Sequence, residues 1–213
     1  MRAQLDESCD MKVSLRAAIA AGALLAGGFT SASIADDWIT LIEGEKGLEN
    51  FNSIGDANWR AEDGAILADH GAGGHLVTKS AYQDVEVYAE FWADHTTNSG
   101  IFLRAQNPEQ IGFANAYEVN IFDQRPVQEY STGAIVGFAA LEEPFPKAGG
   151  KWNTFEIRIQ GSEAVVELNG QVTVRMANDD FKEGPISLQY AAGAGGIPGG
   201  VIKWRKVMIR PLS

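Results

Sequence analysis

The sequence predicts an all-β protein, a sandwich or jelly roll of two antiparallel sheets. Three observations carry this. No segment after residue 35 sustains a helical period of apolar residues. About a dozen short runs of alternating or β-branched residues follow one another at spacings near ten residues, separated by Gly, Asp, Asn and Pro. Finally, Asn169-Gly170 joins two β-branched runs. This is the strongest short hairpin signal, because both central residues of that turn need positive φ.

In order, Ile39 to Leu41 predicts a short first strand, and 44–55 reads as loop with Leu48 and Phe51 as anchors. Residues 58–67 read as strand, Asp-Gly turn and strand. The glycines at 71–74 lead into His75 to Thr78; without a helix behind them they are no phosphate loop. Gln83 to Trp92 is the longest clean alternation, with Val85, Val87, Ala89 and Phe91 opposite Glu86, Tyr88, Glu90 and Trp92. Strands at 100–104 and 117–121 flank a loop. Residues 123–146 are irregular, and Pro144 and Pro146 exclude a central strand. Alternation resumes at 151–160, followed by the 163–168 and 171–176 hairpin, a strand at 184–190, a glycine-rich loop at 191–200 and a closing strand with a bend between Trp204 and Val207.

The first 35 residues predict a secretory signal peptide. Lys12 and Arg16 precede an apolar run from Ala17 to Ala26, and Ser33-Ile34-Ala35 fits a small-x-small cleavage site. Met11, just before the basic residues, is a candidate true start. The expected domains are therefore the leader, 1–35, and one sandwich, 36–213, with a periplasmic or secreted destination. The single cysteine, Cys9, falls in the leader, so the mature chain relies on its core rather than on disulfides. The net charge is −11. It disfavours nucleic acid and anionic lipid as partners and is compatible with a neutral sugar or a cation. Oligomeric state is not legible.

The stretch from Asn98 to Asp123 is central. Ile101 and Leu103 oppose Phe102 and Arg104; Val119 and Ile121 oppose Glu118 and Asn120. Each strand thus turns aliphatic groups one way and polar groups the other. That pattern fits a ligand-facing sheet, and equally a sheet face that meets water.

Several motifs then fall in one order: 98–104, 117–123, 132–135, 151–157, 168–170 and 184–189. In this order the chain resembles the 3-keto-disaccharide hydrolase-like family, also described as a 3-keto-glucoside lyase and hydratase domain, over roughly residues 36–212. The resemblance implies a concanavalin-like lectin/glucanase sandwich, export and sugar chemistry. Two positions depart from the family pattern. Gln is more usual where Asn120 stands, and Leu188-Gln189 is commonly followed by His and Gly, where this chain has Tyr190-Ala191-Ala192-Gly193.

The resemblance implies cleavage of 3-keto-glycosides by elimination and then hydration. A ketone at carbon 3 acidifies the hydrogen on carbon 2, and the group on carbon 1 can leave. Such a site needs a base, a stabiliser for the enolate oxygen and a proton source. On this reading Glu118 is the base or acid, Arg104 the enolate stabiliser and Glu90 a second carboxylate. Asn120, Asp123 and Gln189 bind hydroxyls, and Trp92 or Tyr190 stacks on a ring. The alternatives are a structural Arg104–Glu118 ion pair across strands, and plain packing for Trp92. At the level of function the alternatives are a non-catalytic, lectin-like glycan-binding module, or an interaction domain built on the 124–150 loops. His70, His75 and His95 match no zinc spacing and read as solvated loop residues. A hard cation such as calcium is compatible with an acidic sandwich, though no dedicated calcium loop is present. The Glu-x-Asp-x-x-Glu pattern of glucanases of this fold is absent, and so is a nucleophilic Ser elbow.

Overall fold

A computed structural model of the chain describes residues 37–193 and 199–212. The expected leader and start site lie outside these residues, as does part of the glycine-rich loop. The strands are β1 (Ile39–Glu43), β2 (Phe51–Gly55), β3 (Arg60–Glu62), β4 (Ala65–Ala68), β5 (Gly73–Tyr82), β6 (Val85–Ala93), β7 (Asn98–Leu103), β8 (Tyr117–Ile121), β9 (Lys151–Gln160), β10 (Glu163–Leu168), β11 (Gln171–Ala177), β12 (Gly184–Ala191) and β13 (Ile202–Pro211). Only two short 3-10 turns, Leu48–Asn50 and Gln128–Tyr130, interrupt this all-β pattern among the described residues.

The strands form two antiparallel sheets. The first runs β11-β10-β9-β6-β13-β4-β3, with β1 also paired to β13; the second runs β2-β5-β12-β7-β8. The expected sandwich is therefore present. Asn169 and Gly170 sit at φ 53° and 75° between β10 and β11, as their hairpin requires. The bend in the closing strand is a bulge between Trp204 and Lys206. One expectation fails: 44–55 is not all loop, because Phe51–Gly55 pairs with β5 as an edge strand. Its residues, Phe-Asn-Ser-Ile-Gly, carry almost no alternation, so the partner strand rather than the local sequence makes it extended.

The core lies between the sheets. Val85, Val87, Ala89 and Phe91 of β6 meet Ile101, Leu103, Val119 and Ile121 of β7 and β8 there, with Phe91 stacked on Phe155 at 5.0 Å. Alternation then sends the intervening residues of each sheet to an outer face. Those two outer faces are chemically unlike, and the candidate site is on the second.

Candidate functional site

Register across the second sheet builds the site in two rows. Ile54, His75, Gln189, Gly100 and Asn120 stand opposite one another on successive strands. The next row is Asn52, Val77, Ser187, Phe102 and Glu118. Directly opposed residues share a face, so all ten belong to the outer side. The row pattern brings Glu118, Asn120 and Gln189 together around Gly100.

Gly100 matters because of what packs against it. A Cβ there would stand 3.3 Å from Glu118 Cγ, 3.5 Å from its Oε1 and 3.0 Å from the Val119 carbonyl. The Glu118 side chain thus leans over the space that a larger residue would fill. Its backbone is held by the segment beyond the sheet edge: Val136 N–H donates to the Glu118 carbonyl, and Asn120 exchanges backbone bonds with Ala134 and Gly133. The irregular 123–146 region therefore extends the sheet at β8.

Glu118 is 6% exposed. Burial pushes its carboxyl up to about 7, with the nearby Arg125 guanidinium pulling weakly the other way. Arg125 takes part in none of the ion pairs among the described residues. Asn120 donates from Nδ2 to the Tyr130 carbonyl at 2.6 Å, while its buried Oδ1 has no partner. Gln189 Oε1 is likewise buried and unpartnered. Two buried, unpartnered amide oxygens flanking one glycine are unusual in a folded protein.

His75 overturns the expectation of a solvated loop residue. It is buried on β5, its Nδ1 lies 2.7 Å from Ser187 Oγ, and its ring meets Phe102 edge-on at 5.2 Å. Burial lowers its pKa to about 4, so the imidazole is neutral at ordinary pH. His75, Ser187, Phe102 and Arg125 were all missed as site residues. The alternation of His75 and Val77 about Leu76 was the available signal, and the glycines before it obscured the strand.

Five expected site residues lie elsewhere. Arg104 follows β7 at φ 54°, which breaks the alternation and turns its side chain into one end of the sandwich. There it donates to the Gln83, Gly161 and Phe181 carbonyls and pairs with Asp84 at 3.1 Å. It is a structural clamp, and it does not pair with Glu118. Glu90 points outward as expected, but from β6 of the first sheet, where it accepts from Tyr88 and Arg205. Burial raises its carboxyl, and the bonds from Arg205 and Tyr88 outweigh that and hold it below its ordinary value. Trp92 shares that first-sheet face, with the Lys203 ammonium 6.0 Å from its ring. Tyr190 turns into the core, since it neighbours the outward Gln189. Asp123 accepts from the backbone N–H groups of Ala148 and Gly149 and from Thr132 Oγ1, which ties the 123–150 loops together.

No three His, Cys, Asp or Glu side chains converge as a metal site among the described residues. The calcium expectation has no site assigned to it among the described residues.

Residues 37–210 match the sequence model of the 3-keto-alpha-glucoside-1,2-lyase-like domain. The chain belongs to that family. A comparison with curated protein sequences returns no match. Among solved structures, the chain is similar to a Parabacteroides distasonis protein provisionally described as a glycosyl hydrolase. Identity is 25% and the TM-score 0.65, covering 82% of this chain and 99% of the other. A carbohydrate-binding module from Bacillus subtilis shares the fold at 11% identity and TM-score 0.56, covering 82% of this chain and 95% of the module. A galectin-like Bacillus subtilis protein of unknown function does so at 10% identity and TM-score 0.61, over 80% and 93%. The family places the chain among carbohydrate-related proteins, and the solved structures show the same fold.

Proposed function

We propose that this protein is exported, binds a 3-keto-glycoside on the outer face of the second sheet and cleaves its glycosidic bond by elimination followed by hydration. The observation that carries this reading is Glu118: a desolvated carboxyl whose pKa burial pushes up to about 7, packed against Gly100 between Asn120 and Gln189. A base with that pKa is matched to neutral pH.

The ionised Glu118 takes the hydrogen from carbon 2. The electron pair moves into the ketone, giving an enolate whose charge the unpaired Arg125 guanidinium offsets. Collapse of the enolate expels the oxygen on carbon 1, which leaves as an alcohol with the proton returned by Glu118. Water then adds to carbon 1 of the enone and restores a 3-keto sugar. Gln189, half-buried on the same face, offers the exposed part of its amide to ring hydroxyls.

A binding-only role is the second reading. It is favoured by Tyr190, whose ring enters the core where relatives commonly carry a His after Leu188-Gln189. Incubating the protein with a 3-keto-disaccharide and following free sugar separates the two. Release that disappears in Glu118→Gln supports elimination. Sugar bound without release, with and without added divalent metal, leaves a binding module.

A further inference from the structure

His75 and Ser187 form a hydrogen-bonded pair that the reaction above leaves unused. The His75 Nδ1 lies 2.7 Å from Ser187 Oγ, and Ser187 is fully buried. A hydroxyl carries one hydrogen, and burying it without an acceptor is costly. Among the described residues Ser187 Oγ has no other hydrogen-bond partner, and it has no surface open to water. Its O–H therefore donates to Nδ1, which must be the bare nitrogen. The imidazole is neutral, so its single proton is on Nε2. Nε2 makes no hydrogen bond among the described residues, yet it is not one of the buried atoms left without a partner. Its donor therefore faces the open part of the site.

This donor and the Glu118 carboxyl approach each other across the sheet. Gln189 of β12 stands directly opposite both His75 of β5 and Gly100 of β7. From β5 the His75 ring reaches across β12, because it bonds to Ser187 of that strand and meets the Phe102 ring of β7 edge-on, with centroids 5.2 Å apart. From β8 the Glu118 side chain reaches the other way, against Gly100 of β7. The imidazole over β12 and the carboxyl over β7 are thus separated by about one strand spacing, roughly 5 Å. That is the scale of one pyranose ring, in which carbon 2 and carbon 3 are neighbours.

We propose that His75 is a second catalytic residue, whose Nε2–H donates to the ketone oxygen on carbon 3, and that Ser187 is the positioning residue that fixes its tautomer. The proposal rests on the functional reading above for the sugar and its position. As Glu118 takes the proton from carbon 2, the carbon–hydrogen electron pair forms the bond between carbons 2 and 3, and the carbonyl pair moves onto oxygen. The hydrogen bond from Nε2 strengthens with that charge, while the proton stays on nitrogen. When the pair returns, the carbonyl re-forms, carbons 1 and 2 become doubly bonded and the aglycone leaves with the proton from Glu118. A neutral imidazole is an effective electrophile for such an enolate.

The tautomer is read first by nitrogen NMR of the full chain with isotope-labelled histidine. His75→Gln, which removes one set of imidazole signals, assigns His75. Nδ1 is expected to resonate as a bare nitrogen and Nε2 as a protonated one; a proton on Nδ1 would overturn the proposal. In Ser187→Ala the single tautomer should give way to a mixture. The labelled protein is then titrated with the 3-keto derivative of 1,5-anhydroglucitol, a ketone-bearing ring with no aglycone to expel, and with the unoxidised parent sugar. Only the ketone should shift Nε2; equal shifts, or none with the ketone, overturn the proposal. Turnover is measured with methyl 3-keto-α-glucoside, each rate being normalised to folded protein by circular dichroism. His75→Phe should lower kcat by about 10²-fold or more, the loss typical of one oxyanion donor, with KM within about threefold. His75→Gln, whose amide supplies a donor near the Nε2 position, should recover part of that loss. Ser187→Ala should lose about tenfold, and adding it to His75→Phe should cost nothing further, because both act through one N–H. Unchanged kcat in folded His75→Phe removes His75 and leaves the Glu118 reaction. A ketone-dependent Nε2 shift without turnover by the parent removes the reaction and leaves His75 as the group that binds the ketone.

Discussion

The two outer faces of the sandwich arise from the same strand alternation, yet they treat their polar groups in opposite ways. On the first sheet the two carboxylates of β6 both have partners. Glu86 is held by Arg158 and Arg210, and Glu90 by Arg205 and Tyr88. The aromatic rings there are covered too: Arg205 lies 4.2 Å from the Trp152 centroid and Arg210 5.0 Å from that of Trp38. On the second sheet Glu118, Asn120 Oδ1, Gln189 Oε1 and Arg125 lack such partners among the described residues. A carboxylate whose charge is already satisfied has little left to offer a ligand. A face that keeps desolvated groups unpaired carries an energetic cost that a ligand can relieve. Trp92 and Glu90 looked like site residues by composition; their partners explain why they are not beside Glu118.

Four measurements break or sharpen this contrast. The largest effect is expected at Glu118. Glu118→Gln should lower turnover of a 3-keto-glycoside by about 10³-fold or more, the loss typical of removing an essential acid–base group. Its stability should change in the opposite sense. Burial favours the neutral carboxyl, so that contribution is complete below the ordinary value of 4.5 and is lost as pH rises through about 7. The Gln variant should therefore melt like the parent near pH 4 and be more stable at pH 8, by at most about 3 kcal/mol. Equal melting at pH 8 would show that Glu118 is not desolvated.

Arg104→Met comes next, and its effect is on stability. Removing a buried guanidinium strands Asp84 and three carbonyls and should cost about 3 kcal/mol by denaturant titration. Folded protein should keep its activity per molecule, and a selective loss of turnover would return Arg104 to the site. Gly100→Ala is smaller. The added methyl displaces Glu118 and should lower turnover about tenfold, with a stability change of about 1 kcal/mol. Unchanged activity would mean that the floor is not occupied by substrate. Glu90→Gln is the control on the opposite face, where the change in turnover should stay within about twofold and the stability loss within about 1 kcal/mol.

Stability also falls toward acid through His75. Its folded pKa, about 4, lies below the ordinary 6.5, so the neutral form stabilises the fold above pH 6.5 and that contribution is lost as pH drops toward 4.

How much of this was legible beforehand differs between fold and site. Alternation along 83–92, 98–104, 117–121 and 151–160, together with Asn169-Gly170, determined the strands, their inward faces and the all-β class. These signals are local: a two-residue period and a turn that needs positive φ act within a few residues. The family, too, was readable from ordered motifs. Glu118 and Asn120 share a face, as alternation along one strand predicts, and the β7–β12 pairing brings Gln189 to the same row. What alternation could not supply was which sheet a strand joins. Glu90 and Glu118 both point outward, and only the strand order places them on opposite sides of the molecule. Nor could it foresee that Arg104 leaves the pattern at positive φ, or that the β5–β12 pairing brings His75 to Ser187 across more than a hundred residues. Those outcomes depend on long-range pairing and on the burial it creates. Burial is what gives Glu118 its pKa, so the sequence by itself determined the strands and one candidate carboxyl, and the tertiary structure decided which groups surround it and how it titrates.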